Sequence, residues 1–276
     1  MCAIEIGDEM ADERILAKCA AGRNGELILS PNEGFWSTCP TVQVDPEVSA
    51  YELFDDFMAS SIGDVTGRWM KDVVGAATTV GLASSVTYGL GGFIVLDAGI
   101  TAKNDYANLK VTDADAALGA FKITANSGKK LWFAVRFGLS SVADECMCIG
   151  LLDGTTTKPF ANDTGARNMT GGLYFRTLAA SPTALDFART RGSTEAVIKA
   201  GIATLVDSIP IIAGFYFDGV KTVLPFINGV QANYPTQVNV ATFPYDIGLT
   251  PYIGILAGAN ASKKLIVDWV RVVQIR

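Results

Sequence analysis

The chain has 276 residues, 49% of them apolar and 18% charged, with a mean hydropathy of +0.30 and a formal net charge of −6. That is enough for one large β domain or two ordinary ones with a sizeable core, and the basic residues are too sparse to line a nucleic-acid groove. No histidine is present, which excludes every Ser-His or Cys-His nucleophile pair and removes the commonest metal ligand.

Residues 1–50 differ from the rest. The N-terminus is acidic ahead of its first base, unlike a signal peptide. Residues 8–22 predict a short helix, with Asp8 as cap and Gly22 as stop. A loop with Pro31, Pro40 and Pro46 follows. The segment reads as an N-terminal arm or short helical extension leading into one domain over residues 51–276. Its Phe35-Trp36 pair is the candidate partner-binding anchor, because buried tryptophan dominates interfaces. Packing back on its own domain is the alternative.

From Tyr51 onward the pattern predicts strands. Asp55 and Asp56 fall on opposite faces of the first, one inward and one outward, a simpler account than a metal pair. Val73–Leu96 is uncharged and long enough to span a bilayer. Its many Gly, Ser and Thr residues and its Gly-Leu-Gly-Gly break predict short strands joined by turns instead, with no membrane role. That glycine run also lacks the strand-to-helix setting of a phosphate loop.

In "KLWFAVRFGL" the residues Leu131, Phe133, Val135, Phe137 and Leu139 alternate onto one face, and Met147, Ile149 and Leu151 continue the pattern. Asp144-Glu145 reads as a solvated turn between the two strands. The five cysteines stand at 2, 19, 39, 146 and 148. Cys146 and Cys148 are too close for an ordinary disulfide and lack partners for zinc, so reduced buried thiols are expected, and no metal. Asp153 and Asp163 share a polar loop compatible with calcium; a polar turn without metal is the simpler reading, and no cofactor is expected. "RTRGSTE" at 189–195 reads as a solvated hairpin tip.

Asp218-Gly219 and Asn228-Gly229 are two-residue hairpin signals that predict a three-stranded meander. Pro225 cannot donate a ladder hydrogen bond, which puts its strand at an edge or a bulge. Near the C-terminus Leu265, Val267, Trp269, Val273 and Ile275 are expected to share one face, interrupted by Arg271. Trp132 and Trp269 are read as core residues. Many short strands with Gly-rich turns make the fold class all-β, a sandwich or jelly roll.

Several stretches resemble concanavalin A-like jelly rolls. "LWFAVRFGLSSVADECMCIGLLD" resembles their aromatic-rich strand pair, and "GFYFDGVKTVLPFINGVQ" their Asp-Gly to Asn-Gly hairpins. "LIVDWVRVVQ" is similar to the "VDYVRVYQ" ending of laminarinase-like glycoside hydrolases. Those hydrolases carry a Glu-x-Asp-x-x-Glu strand that puts two carboxyl groups about 5–5.5 Å apart. No window of this chain has that pattern, so the resemblance implies the concanavalin A-like jelly-roll β-sandwich without the activity, and no catalytic residue is assigned.

"ELFDDFMASSIGDVTGRWMK", "GGFIVLDAG" and the closing "VDWVRV", in that order over residues 52–276, resemble the jelly-roll structural proteins of tailed-bacteriophage virions. This resemblance implies a non-enzymatic capsid decoration or cement protein, assembled in the host cytoplasm onto the capsid surface. Its partner would be the major capsid protein, and it would form a homo-oligomer, a trimer by the symmetry of shell sites. The alternative is a carbohydrate-binding module of a tail fibre or other receptor-binding virion part. A hydrolase with unusual residues is a third.

Overall fold

The structure is a computed structural model. It describes residues 34–36, 39, 50–58, 62–63, 68–75, 78–86, 89–99, 102–111, 119–156, 158–160, 162, 168–192, 194–232, 235–238, 242–258 and 263–276. The helix expected over 8–22, Cys2, Cys19 and Asp163 lie outside the described residues.

In chain order the strands begin with Ala50–Asp55 (β1), Ile62–Gly63 (β2), Trp69–Val74 (β3), Thr79–Val86 (β4), Gly89–Asp97 (β5) and Tyr106–Val111 (β6). Leu131–Leu139 (β7), Glu145–Asp153 (β8), Gly171–Leu178 (β9), Ser181–Arg191 (β10) and Thr194–Thr204 (β11) follow. Ile211–Phe217 (β12), Thr222–Ile227 (β13), Val230–Gln231 (β14), Thr236–Gln237 (β15), Leu249–Ala257 (β16) and Lys264–Ile275 (β17) complete the chain.

They form two sheets. Sheet I runs β14-β13-β12-β7-β17-β5-β4, with β1 also on β17 and β15 also on β13. Sheet II runs β11-β10-β9-β8-β16-β6-β3-β2. Among the described strands every pairing is antiparallel except the short β2–β3 pair. The uncharged stretch over 73–96 is thus built from strands, as its glycines and threonines predict. Among the described residues, no helix is long and apolar enough to cross a membrane.

Period-two alternation places the core. Leu131, Phe133, Val135, Phe137 and Leu139 of β7 point inward against Met147, Ile149 and Leu151 of β8, Phe175 of β9, Phe187 of β10 and Phe215 of β12. The Phe133 and Phe215 rings stack with centroids 5.0 Å apart. Burial of these aromatic and branched side chains supplies most of the driving force for closing the sandwich. Asp55 ties β1 to the rest by accepting from Trp69 Nε1 at 2.7 Å, while Asp56 is exposed. The two carboxylates divide inward and outward as expected.

Turn chemistry is met in part. Asn228 and Gly229, with φ of 50° and 77°, form the two-residue link from β13 to β14. Asp218-Gly219 belongs to a four-residue link instead. There the aspartate works through its side chain, Oδ1 accepting the Val220, Lys221 and Thr222 N–H groups at 2.8–2.9 Å. Pro225 falls between the two short strands β14 and β15 that share one flank of β13, so no ladder bond is lost.

The C-terminal strand departs from expectation. A bulge between Val267 and Trp269 makes Asp268 an extra residue in the ladder with β7. Leu265 and Val267 point inward, but beyond the bulge the inward residues are Val270 and Val272. Trp269, Val273 and Ile275 therefore lie on the opposite, outer face with Arg271. The run predicted as one face is split between two.

Candidate functional site

Residues 34–36 of the arm cover part of the outer face of sheet I. Phe35, only 5% exposed, packs on Trp132, Ala134 and Val273. Its ring meets Trp36 and Phe226 edge-on, with centroids 4.7 Å away in each case. The Arg271 guanidinium lies 4.5 Å above the Trp36 ring and donates to Glu52 at 2.8 Å. The candidate anchor pair Phe35 and Trp36 is thus folded onto its own domain, with Phe35 buried and Trp36 half-buried. Burial holds the neighbouring Cys39 thiol up at about 12, the Arg271 charge opposing it.

The outer face of sheet II is built differently. Its central positions are small, Cys146, Cys148 and Gly150 on β8, Ala188 on β10 and Gly254 on β16. Two tyrosine rings lie down on this floor. A Cβ on Gly150 would stand 2.4 Å from the Leu173 carbonyl oxygen of β9, and one on Gly254 would stand 2.7 Å from Tyr252 Cε1, so glycine is required at both, by the neighbouring backbone at the first and by the tyrosine ring at the second. Neither Cys146 nor Cys148 is in a disulfide.

The connection from β8 to β9 roofs part of this face with Phe160 and Met169. Asp153 anchors both its ends, accepting from Thr155 N and Oγ1, Thr156 Oγ1, Thr170 N and Gly171 N at 2.5–3.1 Å. Burial pushes the Asp153 carboxyl up, but these hydrogen bonds outweigh it and leave it below its ordinary value. Its oxygens are spent on the loop, so Asp153 is a turn residue. Lys110, buried in β6, adds a second clamp by donating to the carbonyls of Gly154 and Thr156 at 3.2 and 3.3 Å. Burial lowers its ammonium below the usual lysine range, with Asp72 and Asp153 opposing.

Two polar groups remain at the surface of this face. On one side, Tyr106 donates to Asp72 at 3.2 Å, and the Lys158 ammonium sits 5.0 Å over its ring. Burial, then the Asp72 charge, raises the Tyr106 hydroxyl to about 12. On the other side, Arg176 of β9, itself 5% exposed, gathers two carboxylates. Its Nη1 donates to both oxygens of Glu195 at 2.7–2.8 Å, and its Nη2 stands 3.5 Å from Asp186. Tyr174 completes the knot with its hydroxyl 2.5 Å from Glu195 and 2.7 Å from Thr190. Burial drives the Tyr174 hydroxyl far up, and the Glu195 charge adds to it.

"RTRGSTE" is therefore not a solvated tip. Thr190 is buried, Glu195 is paired with Arg176, and the Arg189 guanidinium covers the Phe243 ring at 4.5 Å. The hairpin folds these residues back over β9, which a local reading of hydrophilic residues misses. The in-phase series Tyr174, Arg176 and then Asp186, Ala188, Thr190 was the available signal, because such a series marks one face of paired strands.

No family model matches the sequence, and no curated protein matches it. Solved structures do. A protein of unknown function from Shewanella oneidensis MR-1 superposes with a TM-score of 0.53 at 15% identity, over 90% of this chain and 95% of its own. The endo-1,3-beta-glucanase of Streptomyces sioyaensis gives 0.53 at 14%, over 84% and 98%. Peanut lectin gives 0.52 at 10%, over 82% and 97%. The fold is a concanavalin A-like jelly roll. Lectins and glucanases share it, so the fold carries both binding and catalysis.

Proposed function

We propose that this protein is a saccharide-binding, lectin-like module that holds its ligand on the outer face of sheet II. The observation that supports this reading is the ionic knot of Arg176, Glu195, Asp186 and Tyr174. Ion pairs removed from water contribute little net stability, and well-packed apolar residues would serve the fold as well. Here they stand on the side of the sheet away from the core, with the Asp186 and Glu195 side chains 16% and 15% exposed. Carboxylate edges set beside a guanidinium are the acceptors and donors that sugar hydroxyls require. Both Glu195 oxygens are engaged by Arg176, which favours binding over bond cleavage.

Placement of the module in a virion, at a receptor-binding part or on a shell of major capsid protein, rests on the resemblance of residues 52–276. The test is a glycan array followed by calorimetry on the hits. Asp186→Asn should weaken saccharide binding about tenfold, the loss of one charge-assisted hydrogen bond, with the melting temperature nearly unchanged. A blank array, or hits that Asp186→Asn leaves alone, would defeat the reading, and release of reducing sugar would make the protein a hydrolase.

A further inference from the structure

A cleft of about 400 Å³ opens at one end of the sandwich, away from the sheet II face. It lies between the segment over 119–130 and the paired strands β1 and β17, and no part of the saccharide reading uses it. Its construction is rigid. Gln274 of β17 is buried and clamps the main chain of Lys122 at both ends, Nε2 donating to the Lys122 carbonyl at 2.5 Å and Oε1 accepting its N–H at 2.9 Å. Phe121 bridges to Leu249, and the Ile275 N–H donates to the Lys130 carbonyl at 3.0 Å. The walls are therefore held whether or not anything is bound, which keeps the ordering cost of binding small.

The lining charge runs against the rest of the molecule. Lys122, Lys129 and Arg276 line the cleft with Asp246 as the one acidic side chain, in a chain whose side chains carry a formal charge of −6. Lys122 pairs with Asp246 at 3.4 Å, but both side chains are more than half exposed. Such a pair contributes little and yields readily to a better anion. Among the described residues, neither the Lys129 ammonium nor the Arg276 guanidinium has a carboxylate partner. Arg276 instead rests 4.1 Å over the ring of Tyr51, which is 48% exposed. That contact orients a planar donor fork suited to a carboxylate or sulfate. Thr124 and Ser127, also in the lining, add neutral hydrogen-bonding groups.

We infer that this cleft binds an acidic saccharide unit, a sugar of one or two rings bearing a carboxylate or sulfate, through Arg276 and Lys129 beside Tyr51; the anionic group follows from the cleft, and the saccharide class rests on the proposed function. The volume lies within the range of small-ligand sites, roughly 300–1,000 Å³. Calorimetry on the full chain with a uronic-acid disaccharide, a sulfated disaccharide and a neutral disaccharide tests it. At least one acidic probe should bind about tenfold tighter than the neutral one and weaken as salt rises. Arg276→Gln and Lys129→Gln should each reduce that binding by about threefold to tenfold, while Asp186→Asn leaves it unchanged. No measurable binding of either acidic probe, or equal affinity for the neutral one, overturns the inference, as does binding that the two cleft variants do not affect. Acidic probes whose binding responds to Asp186→Asn alone would leave the sheet II reading standing and this one refuted.

Discussion

Glu145 opens β8 with its carboxyl in the interior, fully buried, and among the described residues no side chain pairs with either oxygen. Burial raises it from 4.5 to about 8; Asp144 and Asp207 push the same way, and Lys263 and the nearby Ala143 N–H oppose. The sequence alone placed it in a solvated turn, since two adjacent acids after "SSVA" look hydrophilic. Asp144 does take the exposed turn conformation, with φ of 56°, but the strand begins one residue earlier than its polarity suggests. The folded protein holds this proton more tightly than the unfolded chain. Its contribution to stability is thus complete below about pH 4.5 and is lost as the pH rises to about 8. We expect Glu145→Gln to exceed the wild type in stability at pH 8.5 by roughly 3–5 kcal/mol and to match it near pH 4.5. Denaturant midpoints at both pH values measure this, and parallel pH profiles of the two proteins would contradict it.

At the scale of the element, β17 shows how one residue reassigns a strand. Asp268 occupies the bulge and pairs with Arg136 of β7. On either side of it the alternation is regular, so the inward set passes from Leu265 and Val267 to Val270 and Val272. Deleting Asp268 removes the bulge and the ion pair but keeps every remaining side chain on its face. The expected loss is under about 2 kcal/mol. Inserting an alanine between Val270 and Arg271 instead turns Val272 outward and Arg271 toward the core, which should abolish cooperative unfolding. Circular dichroism melts of the two variants check this; equal damage from both would mean the bulge is itself required. Period-two reading was sound for β7 and β8, where the ladder is unbroken. It failed in β17 because a bulge shifts phase without any mark in the residue pattern.

For the molecule as a whole, the two sheets share one core but are finished differently on their outer faces. Part of sheet I is covered by Phe35 and Trp36 of the arm, and part of sheet II by Phe160 and Met169 of its own β8–β9 connection. Phe35 closes the arm contact over Trp132 and Val273. Phe35→Ala should lower stability by about 2–4 kcal/mol and expose an apolar surface that promotes association. Thermal unfolding with light scattering reads both effects. An unchanged melting temperature would show that the arm contact carries no stability and would return Phe35 to the role of a partner anchor.

The residues by themselves determined the all-β class, the inward faces of β7 and β8, the Asn228-Gly229 turn and the divided roles of Asp55 and Asp56. All of these are local: they follow from alternation and from backbone conformations that few residues accept. Only the tertiary structure decided that Phe35 and Trp36 lie on their own domain and that Arg176 collects Asp186 and Glu195. It alone showed the cleft that joins Tyr51, Lys122, Lys129 and Arg276. Within the cleft the groups stand as many as 225 positions apart in the chain, 276 − 51 for Arg276 and Tyr51. What brings them together is the pairing of strands, and pairing is set by burial across the whole sandwich, which no short window of sequence contains.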